Sequence, residues 1–438
     1  MLATSGCQTV VVGEEALGAL RKVLESAPDP LTIVLPLTAE ANDLAAAFGR
    51  HRFVTAAELD PASDWGGPPQ VAPEATAYLL FTSGSTGIPK GVPVSQANVA
   101  GYLDYVGDLY GVVESDRFSQ TFDLTFDLSV HDLFVCWSGG ACLCCLPQAS
   151  LIGPAKFIRD ERLTMWFSVP SHGMVMQRMR MLKPGAFPSL RYSLFCGEPL
   201  SVSLASAWQK AAPNSTVENL YGPTEATIAI LRHRWDEQRS PDHAVNGIVS
   251  IGEPFEGQRA CIVDDRLGRL PAGETGELCL SGSQVVDGYL DDPEKTREQF
   301  VTLPDAAREV WYRTGDLARY DAEGGYRYLG RLDSQVKIMG IRVELQEVEQ
   351  AVRRAARTET AVCVAWPLHE GSAEGIVAFV AGAPVDRSDA QIIEECRRAL
   401  PDFMAPKKVH RLDALPLNAS GKVDRGKLAA SLNEGGTA

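Results

Sequence analysis

The sequence lacks the features that mark several protein classes. No uninterrupted apolar run is long enough to span a bilayer, and no basic segment precedes the first apolar stretch as it would in a secretory signal peptide. The formal net charge of -15 over 438 residues argues against a nucleic-acid phosphate groove. These absences predict a cytoplasmic protein with neither a membrane nor a nucleic acid as its partner.

The cysteines lack the spacing of a metal site. Ten are scattered along the chain, and three cluster in GGACLCCLP, at Cys142, Cys144 and Cys145. No paired CxxC motifs and no histidines at a matching distance accompany them, which argues against zinc. The apolar run between glycines and a proline instead predicts reduced thiols in a buried strand.

What the chain does contain is a pattern of alternating strands and helices. Hydrophobic residues make up 45% of the sequence, which is enough for a sizeable core and more than one domain. Short apolar runs such as TVVVG precede helix-like segments such as EEALGALRKVLESA, a rhythm that predicts a mostly parallel sheet. From about Gly252, apolar runs joined by Asp, Gly and Pro predict β-hairpins.

The pattern changes again after the segment GRLDSQVKIMG. There VKIMGIRVEL is expected to form one strand ahead of the helix QEVEQAVRRAA, within a compact α+β tail. We therefore predict an α/β protein with two domains. Residues 1–332 form a large N-terminal domain of mixed sheets and helices with a β-rich subdomain, and residues 333–438 form a small, mobile α+β C-terminal domain.

A loop rich in Gly, Ser and Thr follows an apolar run in YLLFTSGSTGIPKGV. Backbone N–H groups of such a loop form a concave set of donors for phosphate oxygens, and Lys90 adds a positive charge. A Walker A loop has Ser or Thr after its lysine, whereas Gly91 and a second apolar run follow here. The sequence thus predicts strand–loop–strand and disfavours a P-loop kinase or ATPase.

Seven motifs occur in an order typical of one enzyme family. They are FTSGSTGIPKG, FDLSVHDLF, NLYGPTEAT, GELCLSG…GYL, YRTGDLARY, GRLDSQVKIMGIRVELQEVE and LPLNASGKVDR. Over nearly its whole length the chain resembles the adenylate-forming superfamily, most closely the free-standing amino-acid adenylation domains of nonribosomal peptide synthesis, an antibiotic and secondary-metabolite chemistry. The resemblance implies a ligase that converts a carboxylate and ATP to an acyl-adenylate and pyrophosphate, and then transfers the acyl group to a thiol.

The resemblance also implies ATP and Mg²⁺ as cofactors. Glu225 resembles the carboxylate that holds Mg²⁺, and Lys422 resembles the lysine that bridges the substrate carboxylate and the α-phosphate. With Thr82, these are the expected catalytic residues. The expected ATP-binding residues are Thr82, Ser83, Gly84, Ser85, Thr86, Gly87, Lys90, Gly197, Asn219, Tyr221, Gly222, Thr224, Asp316, Arg331 and Lys422.

By the same resemblance, five of these residues have distinct roles in holding the nucleotide. Tyr221 is expected to stack on adenine and Asn219 to contact its amino edge. Asp316 is expected to bind both ribose hydroxyls, Arg331 to lie near ribose and phosphate, and Thr224 to contact the α-phosphate. Taken singly, Asp316 could be a turn residue and Arg331 a surface charge, but the joint order of the seven motifs disfavours those alternatives.

Asp333 stands where the family has its domain hinge. A hinge absorbs large backbone changes between two packed arrangements. The small domain is expected first to present Lys422 and then to rotate, presenting the strand around Lys337 and Gly340 for thiolation. Met339 occupies a position that is often arginine in the family. This difference either weakens a contact with the thiol donor or carrier or has no effect.

Asp127 stands where amino-acid activators keep a carboxylate for the substrate ammonium, and a buried ammonium needs such a partner. The alternative is that Asp127 only caps a helix beginning at SVHDLF. The other implied pocket residues are Leu128, His131, Ser168, Leu194, Cys196, Leu220, Ile228 and Ala229. The alternative for Ser168 and Cys196 is that they are small packing residues. The alternative for His131 is that it is a helix histidine whose hydrogen-bonding needs are met within the fold.

This pocket set resembles those of serine and cysteine activators, so we expect a small amino acid of the serine, cysteine or alanine type. Its expected acceptor is the phosphopantetheine arm of a peptidyl carrier protein acting in trans, since no carrier motif precedes the last residues LNEGGTA. Two alternatives remain. One is an acyl-CoA or aryl-acid ligase, and the other is an inactive truncated homologue, because Met1 falls after two early family motifs.

Overall fold

The computed structural model describes residues 1–38, 41–59, 66–67, 69–82, 89–147, 153–306, 308–332, 335–358, 360–369, 372–382, 387–416 and 423–434. Contacts divide the chain into two compact units, residues 1–75 and residues 76–438. Within the described ranges, no helix is both long and apolar enough to cross a membrane.

The first unit is a three-stranded sheet with short helices. Its elements are α1 (Leu2–Ser5), β1 (Thr9–Val11), α2 (Leu17–Ser26), β2 (Thr32–Leu35), α3 (Asn42–Ala47) and β3 (Arg52–Thr55). Strands β1, β2 and β3 pair in parallel, with Ile33 and Leu35 of β2 fully buried. Parallel neighbouring strands need a crossover connection, which the helices between them provide. The parallel pairing confirms the sheet that was predicted from alternating apolar and helical segments.

The second unit begins with a two-stranded hairpin and a large sheet. Their elements are β4 (Thr76–Thr82), β5 (Lys90–Ser95), α4 (Gln96–Tyr110), β6 (Arg117–Gln120), α5 (Leu128–Val130), α6 (Cys136–Ser138), β7 (Cys142–Cys145), α7 (Ala155–Asp160), β8 (Met165–Ser168), α8 (Pro170–Arg178), β9 (Tyr192–Phe195), α9 (Val202–Ala211), β10 (Thr216–Tyr221), β11 (Leu231–Arg234) and β12 (Glu253–Pro254). A π-helical turn, His131–Val135, joins α5 to α6. Strands β4 and β5 are antiparallel, which confirms strand–loop–strand.

The large sheet has the order β12-β11-β10-β9-β8-β6-β7. Strands β10, β9, β8, β6 and β7 are parallel, whereas β11 and β12 are antiparallel additions. The carboxyl ends of parallel strands lie at one edge of a sheet, where ligands of open α/β sheets commonly bind. The predicted motifs FDLSVHDLF and NLYGPTEAT lie at or after the ends of β6 and β10, and the predicted residues Ser168 and Cys196 lie at the ends of β8 and β9.

The predicted burial of the cysteine cluster is partly wrong. Cys144 is buried, but Cys142 and Cys145 are exposed. The reason is that β7 is an edge strand of the sheet, with a neighbour on one side only among the described strands. The structure shows all ten cysteines as free thiols.

A five-stranded sheet follows. Its elements are β13 (Arg259–Val263), β14 (Thr275–Ser281), α10 (Pro293–Gln299), β15 (Phe300–Thr302), β16 (Val310–Asp321) and β17 (Gly325–Arg331). Strands β13 and β14 are antiparallel, as the hairpin pattern predicted. Strand β16 pairs with both β14 and β17, and Asp316 lies opposite Arg331 in that register.

The C-terminal part contains two further sheets. Its elements are β18 (Gln335–Ile338), β19 (Ile341–Glu344), α11 (Leu345–Ala356), β20 (Thr360–Ala365), β21 (Leu368–His369), β22 (Ser372–Ala373), β23 (Ile376–Ala381), α12 (Asp389–Ala399), β24 (Lys408–Leu412) and α13 (Arg425–Glu434). The chain is thus a mixed α/β protein with a large N-terminal and a smaller C-terminal domain. The predicted boundary and hinge at Asp333 lie outside the described residues and stay predictions.

The single strand predicted for VKIMGIRVEL is wrong. The structure has a hairpin in which β18 and β19 pair, with Ile338 opposite Ile341. Met339 and Gly340 form the turn with φ values of 51° and 82°. Two-residue turns with both residues in the left-handed region are favoured in hairpins because their twist matches that of the strands.

Candidate active site

The segment after β10, from the motif NLYGPTEAT, forms the centre of the site. Thr227 and Ile228 have φ values of 54° and 72°, which β-branched residues rarely adopt. The fully buried Gln284 holds this backbone, because its amide donates to the Ala229 carbonyl at 2.7 Å, and the Thr227 hydroxyl donates to the Gln284 carbonyl at 2.6 Å. Sequence reasoning missed Gln284, since no local pattern marks it.

Glu225 lies fully buried in this segment. Arg342, from β19, donates to both of its carboxylate oxygens at 3.2 and 3.0 Å, and the Tyr289 hydroxyl donates to Oε1 at 2.8 Å. Burial alone raises the pKa of Glu225, but the charges of Arg342 and Lys90 outweigh it and bring the pKa to about 2. The carboxylate is therefore ionised and paired with a cation.

Lys90 begins β5 on the far side of the predicted phosphate loop. Its ammonium lies 4.9 Å from the centroid of the Tyr289 ring. Burial and the charge of Arg342 lower its pKa to about 8, while Glu225 acts in the opposite direction. Thr82 pairs with Lys90 across the hairpin, and its hydroxyl has no hydrogen-bond partner in the described part of the chain. The intervening Ser83, Gly84, Ser85, Thr86 and Gly87 lie outside the described residues, as does Lys422.

The structure brings the predicted nucleoside residues together around Asp316. The Tyr221 hydroxyl donates to Oδ2 of Asp316, and Arg331 donates to Oδ1 at 2.8 Å. Asn219 lies two residues before Tyr221 on β10, and its amide donates to the Ser250 carbonyl at 2.9 Å. Their contacts with a nucleotide stay predictions.

Two predicted glycines allow close backbone approach. A Cβ on Gly222 would lie 2.6 Å from the Cα of Ala229, so the chain there has no room for a side chain. Gly197 has a φ of 88°, which glycine adopts at little cost. The carbonyl oxygen of Gly340 would lie 3.8 Å from a Cβ at Gly197, which places the β18–β19 turn beside it.

Asp127 is buried just before α5. Its side chain makes no capping hydrogen bond, so the helix-cap alternative is wrong. Its Oδ2 atom has no hydrogen-bond partner among the described residues. Burial raises the pKa of Asp127 to about 6, although a hydrogen bond from Thr224 opposes the shift. A buried carboxylate oxygen without a partner marks the place for a cationic group.

The other predicted pocket residues lie in the core. Six of them share one cluster with Tyr102 and Phe255: Leu128, Leu194, Cys196, Leu220, Ile228 and Ala229. His131 hydrogen-bonds through Nδ1 to the Tyr102 hydroxyl at 2.8 Å, and burial lowers its pKa to about 3. The Ser168 hydroxyl accepts from the Trp166 indole at 3.0 Å. Sequence reasoning missed Tyr102, because a tyrosine on a helix gives no such signal.

The β18–β19 turn enters the same region. The Gly340 N–H donates to Oε1 of Glu198 at 2.5 Å, and the Ser171 N–H donates to Oε2 at 2.7 Å. A Cβ on Gly340 would lie 2.3 Å from Cγ1 of Val169, so only glycine fits. Glu198, in FCGEPL, therefore joins the large domain to the small-domain hairpin, and sequence reasoning missed it.

A cavity of about 630 Å³ lies beside this turn, between residues 121–178 and residues 339–407. Phe122, Phe126 and Met174 contribute apolar surface to it, and Met339 lines it from the hairpin. Its polar lining includes an ion pair between Arg178 and Glu374. It also includes Lys407, whose ammonium donates to the backbone carbonyl of Glu374 at 2.5 Å. It reaches Leu128, the residue next to Asp127.

Comparison with known proteins identifies the family. The model of the AMP-binding enzymes matches residues 1–290, and that of the AMP-binding enzyme C-terminal domain matches residues 347–422. Tyrocidine synthase 3 of Brevibacillus parabrevis is 36% identical over 357 residues, 80% of this chain and 5% of its own length. Delta-poly-L-ornithine synthetase of Acinetobacter baumannii is 33% identical over 371 residues, 82% of this chain and 26% of its own length.

Among solved structures, the Vibrio cholerae adenylation domain AlmE, in complex with glycyl-adenosine-5'-phosphate, matches with a TM-score of 0.87 and 36% identity. The match covers 99% of this chain and 81% of AlmE. The chain spans about a quarter or less of the length of the two curated relatives named above. From its family models, its relatives and its fold, the chain belongs to the AMP-binding enzyme family of adenylate-forming, ATP-using ligases.

Proposed function

We propose that the protein activates an amino acid as its aminoacyl-adenylate, with release of pyrophosphate, and then transfers it to the phosphopantetheine thiol of a peptidyl carrier protein. The observation that carries the amino-acid assignment is the buried Oδ2 of Asp127, which lacks a hydrogen-bond partner in the described part of the chain. A substrate ammonium would donate to this oxygen, whereas an acyl or aryl acid without an amine would leave it without a donor.

Mg²⁺ fits at Glu225. The carboxylate is ionised and already holds a cation between its oxygens, the Arg342 guanidinium. Among the described residues no group of three or more His, Cys, Asp or Glu could form a metal cage, and Mg²⁺ bound by one carboxylate and phosphate oxygens needs none. There the ion would neutralise phosphate charge. Arg342 would compete with the ion for the lone pairs of Glu225, and Thr82, Thr224 and Lys90 would contact the phosphates.

The arrangement of the small domain supports a role in the thiol-transfer step. The hairpin turn at Gly340 is fixed on Glu198 beside the site, and the 630 Å³ cavity runs along it to Leu128. Apolar walls suit a narrow pantetheine arm. For its phosphate, Arg178 would have to leave its ion pair with Glu374, and Lys407 lies beside the same residue. In the preceding step, Lys422 would bridge the substrate carboxylate and α-phosphate after rotation about Asp333.

The relatives support an amino-acid substrate. AlmE was solved with glycyl-adenosine-5'-phosphate, and tyrocidine synthase 3 and surfactin synthase subunit 2 bear names of peptide synthesis. We infer a role in nonribosomal peptide synthesis and a small amino acid of the serine, cysteine or alanine type or smaller. Apart from Asp127, the expected pocket residues offer no ionised partner for a charged side chain, because burial lowers the pKa of His131 to about 3.

The experiment is to load a phosphopantetheinylated carrier protein and measure its intact mass. A mass gain equal to one aminoacyl group, dependent on ATP and on the amino acid, is the expected result. A parallel reaction with coenzyme A and amine-free acids tests the acyl-CoA or aryl-acid ligase alternative. Thioesters formed only with amine-free acids would contradict the role of Asp127, and a folded protein inactive with every acid would favour the inactive homologue.

A further inference from the structure

The turn of the β18–β19 hairpin carries a backbone donor that its own strands do not use. Ile338 and Ile341 pair across the hairpin. Met339 and Gly340 form the two-residue turn between them. The ladder hydrogen bonds of such a hairpin join the residues that flank the turn, so the N–H groups of the turn itself need other partners. The Gly340 N–H has its partner in Glu198, at 2.5 Å and 142 positions away in the sequence.

The Glu198 carboxylate is fixed within the large domain independently of the hairpin. Its Oε2 atom accepts from the Ser171 N–H at 2.7 Å, in the first turn of α8. The N-cap of α8 is Val169, whose side chain cannot accept a hydrogen bond, so a carboxylate from another element takes that role. A negative charge is also favoured at a helix N-terminus. The Oε1 atom is therefore held in place as an acceptor for the turn.

The surface around Glu198 also fits the turn in shape. A Cβ on Gly340 would lie 2.3 Å from Cγ1 of Val169, so the backbone of the turn packs directly against the residue that precedes α8. Val169 thus limits how closely the turn approaches, while Glu198 accepts its N–H. Hydrogen bonds from N–H groups to an ionised carboxylate are roughly twice as strong as those between neutral groups.

We propose that Glu198 is a positioning residue for thiol transfer, which holds the Gly340 turn at the cavity that would admit the thiol. The inference rests on the proposed function and adds a residue to its second step. Val169, Ser171 and Gly340 all line that cavity, so release of the turn would displace one of its walls. Adenylation would instead use the arrangement in which Lys422 enters the site, and that arrangement does not need this contact.

The test replaces Glu198 and measures both half-reactions. Glu198→Ala removes both acceptor oxygens. Loss of a hydrogen bond to a charged group is expected to reduce single-turnover transfer from preformed adenylate by about 10- to 100-fold. ATP–pyrophosphate exchange is expected to fall by less. Glu198→Gln keeps the shape and one acceptor oxygen, so its loss of transfer is expected to be smaller.

Asp292→Ala is the matched control for the contact between Glu198 and a helix. Asp292 is the N-cap of α10 and accepts from the Lys295 N–H at 2.9 Å, so this change also removes a carboxylate from a helix N-terminus. The ratio of transfer to exchange is expected to stay unchanged in Asp292→Ala. A fall in that ratio as large as in Glu198→Ala would overturn the proposal.

A double variant tests whether Glu198 acts through the turn. Gly340→Ala alone also displaces the turn, so adding Glu198→Ala to it is expected to cost no further transfer. Losses that multiply would place the effect of Glu198 elsewhere and contradict the proposal.

Amide hydrogen exchange of the same variants measures the contact without turnover. Faster exchange is expected in residues 335–344 of Glu198→Ala, together with the first turn of α8. Faster exchange in α8 alone, or equal losses of transfer and pyrophosphate exchange, would overturn the proposal and leave Glu198 as a helix cap. A wild-type protein that loads no carrier would contradict the proposed function, whereas hydrogen exchange would still decide whether Glu198 holds the hairpin.

Discussion

Arg342 donates hydrogen bonds to both carboxylate oxygens of Glu225, although 117 residues separate them in the sequence. The ion pair links β19 of the small domain to the carboxylate that we expect to hold Mg²⁺. Both cations need acceptor sites on the same buried carboxylate, which has about four lone pairs. We therefore propose that the hairpin and the metal ion compete at Glu225, which would order the two half-reactions.

The first prediction concerns Arg342→Gln. When the β18–β19 hairpin is in the site, this change leaves the buried Glu225 without its cation. Removing one partner of a buried ion pair costs about 3–5 kcal/mol. Thiol transfer is therefore expected to fall by about 100-fold or more. Pyrophosphate exchange is expected to fall by less, because during adenylation Glu225 would be paired with the metal ion. Single-turnover transfer from preformed adenylate, compared with exchange, measures the difference.

Arg232→Gln is the matched control for Arg342→Gln. Arg232 pairs with the buried Glu218 at 3.0 Å, away from the hairpin. Its loss is expected to lower stability while keeping the ratio of transfer to exchange. An equal loss of both half-reactions in Arg342→Gln would show that the ion pair has no special part in transfer.

The second prediction concerns the metal. Glu225→Gln removes the carboxylate charge and is expected to reduce exchange by about 10²- to 10³-fold, the usual effect of losing one group that stabilises transition-state charge. The concentration of Mg²⁺ at half-maximal exchange is expected to rise as well. Glu218→Gln, a buried carboxylate that also pairs with an arginine, serves as control. An unchanged metal requirement in Glu225→Gln would place the ion elsewhere.

The third prediction concerns pH. Because burial raises the pKa of Asp127 to about 6, a proton competes with the substrate ammonium below that pH. The apparent affinity for the amino acid is expected to fall about tenfold for each pH unit below 6 and to be constant above it. KM for the amino acid, measured from pH 5 to pH 8, checks this. Asp127→Asn should bind weakly with no such dependence, and retention of the same pH profile in this variant would assign it to another group.

The fourth prediction concerns the hairpin turn. Gly340→Ala adds a Cβ 2.3 Å from Cγ1 of Val169 at a φ of 82°, so the turn can no longer approach the site. Transfer to the carrier is expected to fall about tenfold or more, with exchange little changed. Gly382→Ala is the control, because Gly382 has a φ of 65° and no atom of the described residues lies within 4 Å of a Cβ there. Transfer that survives in Gly340→Ala would contradict a role for this contact in thiolation.

The sequence was informative where local pattern and motif agree. The strand–loop–strand around Thr82 and Lys90 and the hairpin at β13 and β14 were predicted from apolar runs and turn residues alone. The place of Asp127 came from its motif, and the structure adds that its side chain caps no helix. These features depend on neighbours in the sequence, which is why they could be read without coordinates.

The remainder depends on residues that are distant along the chain. Glu198 contacts Gly340 across 142 positions, and no local pattern could pair them. The turn at Met339 was missed because the apolar residues on both sides continue the strand pattern, and only the two positive φ values reveal the break. The exposure of Cys142 follows from the edge position of β7, which is a property of sheet order.

The measurement that tests the central claim most directly is amino-acid-dependent ATP–pyrophosphate exchange, with Lys422→Ala as the control. The panel holds the proteinogenic amino acids, several D- and β-amino acids, and simple carboxylic and aryl acids. We expect exchange with one small amino acid and its loss in Lys422→Ala. Exchange only with acids that lack an amine would contradict amino-acid activation at Asp127.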